Sequence, residues 1–266
     1  MCGFAGFVGE VENREQVLEN MIDTIIHRGP DSSGKFVDED AALGFRRLSI
    51  IDLSESGDQP LYNEDRSKVL VFNGEIYNYQ ELREELIQAG HTFVSNTDSE
   101  TLIHGYEQWG EELVYRLRGM YAFAIWDQKA KRLFSARDIF GIKPLYYAQM
   151  NGTLMFGSEI KSFLEHPKFD KVFNEDALGN YLSFQFVPTN ETFFKGVFCV
   201  QPGHYFVYEN GKMTIKRYFE PNFTGDTTKS FEEVVDDIEK VMKESVEMHK
   251  ISDVEVASYL SLSLIH

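Results

Sequence analysis

Apolar and polar positions along this chain fall into short blocks that alternate between two periodicities. Gly3–Val8 is an apolar, glycine-punctuated run, the pattern of a buried first strand that sets Cys2 at its start. Over residues 14–26 the apolar positions Val17, Met21, Ile22 and Ile25 recur at helical spacing and predict an amphipathic helix. Apolar runs at 41–45, 69–72 and 120–126 predict further strands. Two hairpins are expected, over 145–156 around Asn151-Gly152 and over 204–218 around Asn210-Gly211, because Asn-Gly accepts the positive φ values of a tight primed turn. A helix over 80–89 is closed by Gly90. Another over Ser99–Trp109 is opened by Thr97-Asp98-Ser99-Glu100, which has the spacing of a capping box. Strands dominate and helices group around them, so the class is α+β, with sheets packed on each other and helices on the outer faces.

The pattern changes after residue 219. Residues 220–229 are polar and contain Pro221 and Gly225, a linker composition. Ser230 and Glu233 then open a helix whose apolar face is Phe231, Val234, Val235, Ile238, Val241 and Met242, and residues 251–260 read as a strand. One helix and one strand cannot enclose a core. The expected organisation is one domain over 2–219, a linker over 220–229, and over 230–266 the start of an incomplete α/β domain. An apolar helix face without its partner predicts association or aggregation.

Composition narrows the classes. The 266 residues are 42% hydrophobic and 14% aromatic, enough for a sizeable core, which excludes disorder for the main body. With 43 acidic against 26 basic side chains, the net charge of −17 repels phosphate backbones and anionic lipid and argues against nucleic-acid or membrane partners. No apolar run approaches the roughly 20 residues of a membrane span. The two cysteines, Cys2 and Cys199, are far apart and follow no secretory leader, so they read as reduced thiols in a cytoplasmic protein. Cys199, in the apolar run Val197-Phe198-Cys199-Val200, reads as a packed core thiol. No His/Cys/Asp cluster has a metal-ligand spacing, so no metal is expected.

Cys2 carries the most specific chemistry. Once the initiator methionine is removed, one residue holds a thiol and a free α-amine, whose ordinary pKa of roughly 7.7–8.0 lets it take the thiol proton near neutrality. Arg47, leaving an apolar strand, offers a planar fork for a carboxylate, although a salt-bridged arginine fits the pattern equally. Asn73-Gly74, after the 69–72 strand, reads either as a tight turn or as an amide and a backbone N–H converging into an oxyanion hole. Asp98 at a helix N-terminus is favoured by the helix dipole whatever its function. Arg47 and Asp98 together supply the two charges that would clamp an α-amino acid such as glutamine.

Seven segments together carry a family resemblance: Met1 to Gly6, His27 to Asp31, Arg47 to Asp52, Asn73 to Asn78, Thr97 to Glu100, Arg137 to Tyr146 and Phe156 to Lys161. In order and content they resemble the glutaminase half of glutamine-dependent asparagine synthetase, an N-terminal-nucleophile amidotransferase. The resemblance implies a four-layer α/β/β/α sandwich. It implies Cys2 as nucleophile, Asn73 with the Gly74 N–H as oxyanion hole, and Arg47, Glu75 and Asp98 binding the polar ends of glutamine. Leu48, Ser49, Ile50 and Ile51 would line the site, and residues 27–31 would cover it. His27 has no evident partner and is expected to be structural.

The resemblance implies no cofactor for the glutaminase step, with ATP, magnesium and the acceptor aspartate belonging to the intact family enzyme. Here the chain departs from the pattern: Leu260 matches the residue before a phosphate loop, but Ser261-Leu262-Ser263 lacks the loop glycines, so Leu260 is at most a vestigial ATP contact. A homodimer is a further expectation. Two alternatives stay open: an amidotransferase with another ammonia acceptor, or a non-catalytic scaffold that keeps the fold and retains Met1.

Overall fold

Two six-stranded antiparallel sheets face each other across a shared apolar layer, and helices cover both outer faces. The computed structural model describes residues 2–52, 54–225 and 228–257. The chain begins β1 (Gly3–Val8), α1 (Arg14–Asp23), β2 (Ser32–Val37), β3 (Ala41–Arg47), β4 (Leu61–Tyr62) and β5 (Lys68–Ile76). It continues α2 (Tyr79–Gln88), α3 (Ser99–Trp109), β6 (Gly119–Asp127), β7 (Arg132–Arg137), β8 (Tyr146–Met150) and β9 (Thr153–Gly157). Then come α4 (Glu175–Phe184), β10 (Val197–Cys199), β11 (His204–Glu209), β12 (Lys212–Arg217) and α5 (Phe231–His249).

The first sheet has the order β10-β8-β9-β1-β3-β2 and the second β12-β11-β7-β6-β5-β4. Alternation along each strand assigns its side chains to layers. On β1, Phe4 and Val8 enter the layer between the sheets, where they meet Val69 and Val71 of β5 and Ala122, Ala124 and Trp126 of β6. The opposite residues, Ala5 and Phe7, pack outward against Leu18, Met21 and Ile22 of α1. On the far side, Leu70, Phe72 and Phe123 pack against Leu82 of α2 and Leu102, Ile103 and Tyr106 of α3. Each fully buried Val, Leu, Ile, Met or Phe among them contributes about 1.5–3 kcal/mol, and together these layers make the expected four-layer α/β/β/α sandwich.

Both Asn-Gly hairpins form, with φ of 50° and 76° at Asn151-Gly152 and 52° and 75° at Asn210-Gly211. Other expectations need correction. The first helix ends at Asp23, and the chain passes through a short 3-10 turn at Ile26–Arg28. The Thr97 capping box does not form. Asp98 takes the N-cap position without a side-chain cap bond, and Glu100 turns back to accept from the amides of Val94 (2.7 Å) and Ser95 (2.8 Å). The Ser230–Glu233 box does form and opens α5. That helix has no buried residue, with Ile238 58% and Val241 59% exposed. Residues 251–257 make no strand, while residues 258–260, Leu260 included, lie outside the described residues. Cys199 is only half-buried, and its Sγ accepts from Arg137 Nη1 at 3.0 Å, so it is not an apolar core thiol.

Candidate active site

Cys2 precedes the central strand β1, which hydrogen-bonds to a neighbour on each side and so fixes the thiol at the strand's N-terminal end. Its Sγ lies against Leu48, donating to the Leu48 carbonyl and accepting from the Leu48 N–H, both at 3.3 Å. The Cys2 carbonyl accepts from Arg28 Nε at 2.9 Å, and Arg28 is held by Glu159 at 3.0 Å. Burial pushes the Cys2 thiol above its ordinary pKa, while the Leu48 N–H and the charges of Arg47 and Lys143 pull it down.

Asn73 and Gly74 are not a turn. Both lie inside β5, opposite Ala122 and Tyr121, and a Cβ on Gly74 would sit 2.2 Å from the Met120 carbonyl oxygen. Asn73 shares the inner face of β5 with Val69 and Val71, and it is 1% exposed with a buried Nδ2 that has no hydrogen-bond partner. The Gly74 amide is placed by its neighbours. Tyr121, opposite it, spends its N–H and C=O on Asp138 (3.2 and 2.8 Å), on the side away from β5. Gly74 is therefore in a non-hydrogen-bonded pair, and its N–H points away from β6. Phe72 and Ile76, two residues either side, point the same way, and their amides are taken by Gln59 Oε1 at 2.6 Å and Asp98 Oδ2 at 2.8 Å. Between them the Gly74 N–H faces a cleft.

That cleft, with a cavity volume of about 50 Å³, is lined by Cys2, Arg47, Leu48, Ile50, Ile51, Gly74, Glu75 and Asp98 of the expected set. Asn73 lies one residue behind the lining. Ser49 is not in the lining; its N–H donates to Asp31 at 2.8 Å and so joins the 27–31 turn to the loop after β3. The lining also includes Phe45, Gly57, Gln59, Phe72, Thr97 and Ser99, which sequence reasoning missed. Gln59 accepts from and donates to the backbone of Phe72 and so braces the strand just before Asn73. His27 does have a partner, Glu159 at 2.9 Å.

Charge in the cleft is layered. Arg47 is buried and its Nη1 donates to Ser54 O and to Asp58, both at 2.8 Å, while Nη2 donates to Asp52 O. The guanidinium thus ties down the loop that forms one wall. Asp98 is 5% exposed, and burial pushes its carboxyl up to about 7, with the nearby Glu75 adding to the rise and the Ile76 amide opposing it. Burial also raises Glu75, against the pull of Lys143. Lys143 was given no role from the sequence. It is nearly buried on a loop whose amides at Phe140, Ile142 and Lys143 all donate to Asp138 at 3.0 Å. Burial lowers its pKa, and the charges of Glu75 and Cys2 oppose that. Asp253, beyond α5, accepts from the Asp52 amide at 2.8 Å and donates to Ile50 O at 3.0 Å, bracing the same loop from outside.

Comparison with known proteins places the chain in a family. Residues 1–219 match the family described as glutamine amidotransferase domain. Over 98% of its length the chain is 44% identical to asparagine synthetase [glutamine-hydrolyzing] 1 of Bacillus subtilis (strain 168), of which it covers 42%. It is 36% identical, again over 98% of its length, to amidase chyE of Penicillium rubens, of which it covers 41%. The chain thus spans about two fifths of the length of these relatives. In fold it is similar to a glutamine phosphoribosylpyrophosphate amidotransferase from B. subtilis, with a TM-score of 0.63 at 20% identity, over 83% of this chain and 50% of that one. A match over residues 1–219, carried on a sandwich that sets Cys2 beside the edge of β5, means that the chain belongs to the glutamine amidotransferase domain family.

Proposed function

We propose that this chain hydrolyses the side-chain amide of glutamine with Cys2 as nucleophile, after removal of Met1. The α-amine of Cys2 takes the thiol proton, and the thiolate adds to the amide carbon. The oxyanion so formed accepts from Asn73 Nδ2 and the Gly74 N–H. Collapse breaks the C–N bond and expels ammonia, which carries away the proton held by the amine. Water, losing a proton to the same amine, then cleaves the thioester to glutamate and regenerates the thiol. Asp98 and Glu75 receive the ammonium end of the substrate, and Arg47 the carboxylate.

The observation that carries this reading is the pair of unengaged donors on β5. A buried amide nitrogen without a partner normally costs about 1–3 kcal/mol, a cost that makes sense where an oxyanion will complete the bond. Ammonia from this site is proposed to reach an aspartate activated by ATP in the whole protein, in keeping with the names of its relatives. The same proposal carries a cytoplasmic location and a homodimer, and assigns magnesium with ATP to the synthetase half. The sequence after Leu260 lacks the glycines of a phosphate loop, so no ATP binding is assigned to this chain. Glutamate release from glutamine, measured with N-terminal mass analysis, tests the core claim. Turnover should require a mature N-terminal Cys2 and vanish in Cys2→Ala; equal turnover in that variant, or in protein that retains Met1, overturns it.

A further inference from the structure

We propose that Glu64, His91, His104 and Glu107 form a binding site for one divalent transition ion of the zinc type, on the outside of α3 and apart from the cleft that holds Cys2. One ligand atom from each of the four lies within 4.8 Å of all the others. His104 Nδ1 is 3.2 Å from Glu107 Oε2 and 3.7 Å from Glu64 Oε1, and His91 Nδ1 is 3.8 Å from Glu107 Oε2. Bonds of about 2.0–2.2 Å in a tetrahedron put ligand atoms about 3.3–3.6 Å apart. The three spacings above lie within about 0.5 Å of that edge, and the widest spacing, up to 4.8 Å, would close by about 1 Å as the exposed Glu64 and the His91 turn draw onto an ion. Two imidazoles with two carboxylates suit zinc or cobalt, whereas calcium and magnesium take oxygen ligands.

The atoms behind the four ligands point the same way. His91 places its other ring nitrogen, Nε2, 3.2 Å from Gln108 Oε1, an acceptor, so that the proton sits on Nε2 and the Nδ1 lone pair faces the cluster. Glu107 Oε1 accepts from Asn63 Nδ2 at 2.7 Å, which turns Oε2 inward. Glu64 Oε1, the oxygen nearest His104, also accepts from the Thr92 amide at 3.3 Å, which holds it at the cluster. His104 is 1% exposed, and its Nε2 is buried without a hydrogen-bond partner, 3.5 Å from Glu100 Oε1, while its Nδ1 faces the cluster in a 3.2 Å hydrogen bond to Glu107 Oε2 that an ion would replace.

The local fold brings these groups together from separate turns. His104 and Glu107 are three apart on one face of α3. His91 follows Gly90, which at φ 104° closes α2 with bonds from Gly90 N to Ile87 O and from His91 N to Leu86 O, both 3.0 Å. Glu64 sits in the turn between β4 and β5. This is why no metal-ligand spacing is visible along the chain. A surface cavity bordered by Glu64, Thr92 and His104 gives an ion access. Bound there, it would cross-link that turn and the α2 end to α3, the helix whose N-terminus carries Asp98.

The test uses the full, untagged chain with Cys2→Ala, which removes the Cys2 thiol and with it the chelate that thiol could form with its own α-amine. Zinc titration against a chromogenic chelator should give one equivalent per chain. His91→Ala and Glu64→Gln, chosen because they leave buried His104 in place, should each weaken binding at least tenfold. Gln108→Ala, which only frees the His91 ring, should weaken it about tenfold. Cobalt should give the visible bands of a tetrahedral ion without thiolate charge transfer, and zinc should raise the Tm of the Cys2→Ala chain but not of its His91→Ala derivative. Absence of stoichiometric binding at micromolar zinc, or binding unchanged by both His91→Ala and Glu64→Gln, overturns the site in favour of a metal-free ion-pair cluster around His104.

Discussion

The Cys2 sulfur is pinned between the N–H and the C=O of one residue, Leu48, at 3.3 Å from each. These two bonds, weak as thiol hydrogen bonds are, orient the sulfur toward the cleft. Burial works against the thiolate, and Leu48 N–H, Arg47 and Lys143 work for it. Cys2→Ser should therefore keep the geometry and lose the chemistry, since a serine hydroxyl is a far weaker nucleophile at the same amine. The expected result is unchanged Tm within about 0.5 kcal/mol of stability and glutamate release reduced to background. Thermal melts run beside a glutaminase assay decide it.

Asn73→Ala separates catalysis from folding. Its Nδ2 is buried and unpartnered, so deleting it breaks no protein hydrogen bond and removes a desolvation cost. Loss of one oxyanion donor, by contrast, costs about 2.7–4 kcal/mol of barrier, or roughly 10²–10³ in kcat. Stability is expected to hold or rise slightly while kcat falls by that factor with little change in KM. A fall in Tm with kcat intact would show that Asn73 serves the core instead.

Asp98 predicts a pH effect of defined sign. Its folded carboxyl titrates at about 7, well above the roughly 3.9 of an unfolded aspartate. Between these values the native state holds a proton that the unfolded state has released, so its contribution to stability falls as pH rises from about 4 to about 7. Substrate needs the opposite form, because only the carboxylate attracts an ammonium. KM for glutamine should rise as pH drops below 7. Asp98→Asn should gain Tm relative to wild type progressively from pH 5 to 8 and lose about 2–3 kcal/mol of charge-assisted binding, roughly 30- to 150-fold in kcat/KM. A Tm difference independent of pH would remove Asp98 from this role.

The parts of the molecule that are legible in sequence are those set by local rules. Asn151-Gly152 and Asn210-Gly211 fix two hairpins, and the Ser230–Glu233 box opens α5, because each signal is satisfied within a few residues. Asn73-Gly74 shows the limit. The same dipeptide that makes a turn elsewhere stays in a strand here, since β6 pairs along the whole of 68–76 and only glycine fits against the Met120 carbonyl. The polar edge strand β2, two-residue β4 and three-residue β10 carry too little periodicity to stand out. Gln59, Gly57 and Lys143 reach the cleft through long-range packing that no spacing encodes. Cys2, Gly74 and Asp98, expected together from the sequence, do line one cleft, whereas Gln59, Gly57 and Lys143 had no signal along the chain.

Arg47, expected from the sequence as a substrate contact, also supports the wall loop, and a substitution there tests whether that support governs binding. Its Nη1 reaches Ser54 O and Asp58 at 2.8 Å, its Nη2 reaches Asp52 O, and Gly57 has no room for a Cβ beside it. The three partners come from different points of one wall loop, so the planar fork holds the loop as a template. Lysine keeps the charge but presents a single ammonium that cannot span them. Each bond from the guanidinium is charge-assisted and worth about 1.5–3 kcal/mol, so Arg47→Lys, which loses at least one of them, should cost about 1.5–3 kcal/mol of stability or more. Because charge is retained, a pure electrostatic role predicts nearly normal KM, whereas loop templating predicts a KM for glutamine raised tenfold or more with a smaller drop in kcat. Hydrogen exchange at the Ser54 and Asp58 amides should quicken in parallel. Normal KM together with quickened exchange would mean that the loop is ordered by Arg47 without shaping the substrate site.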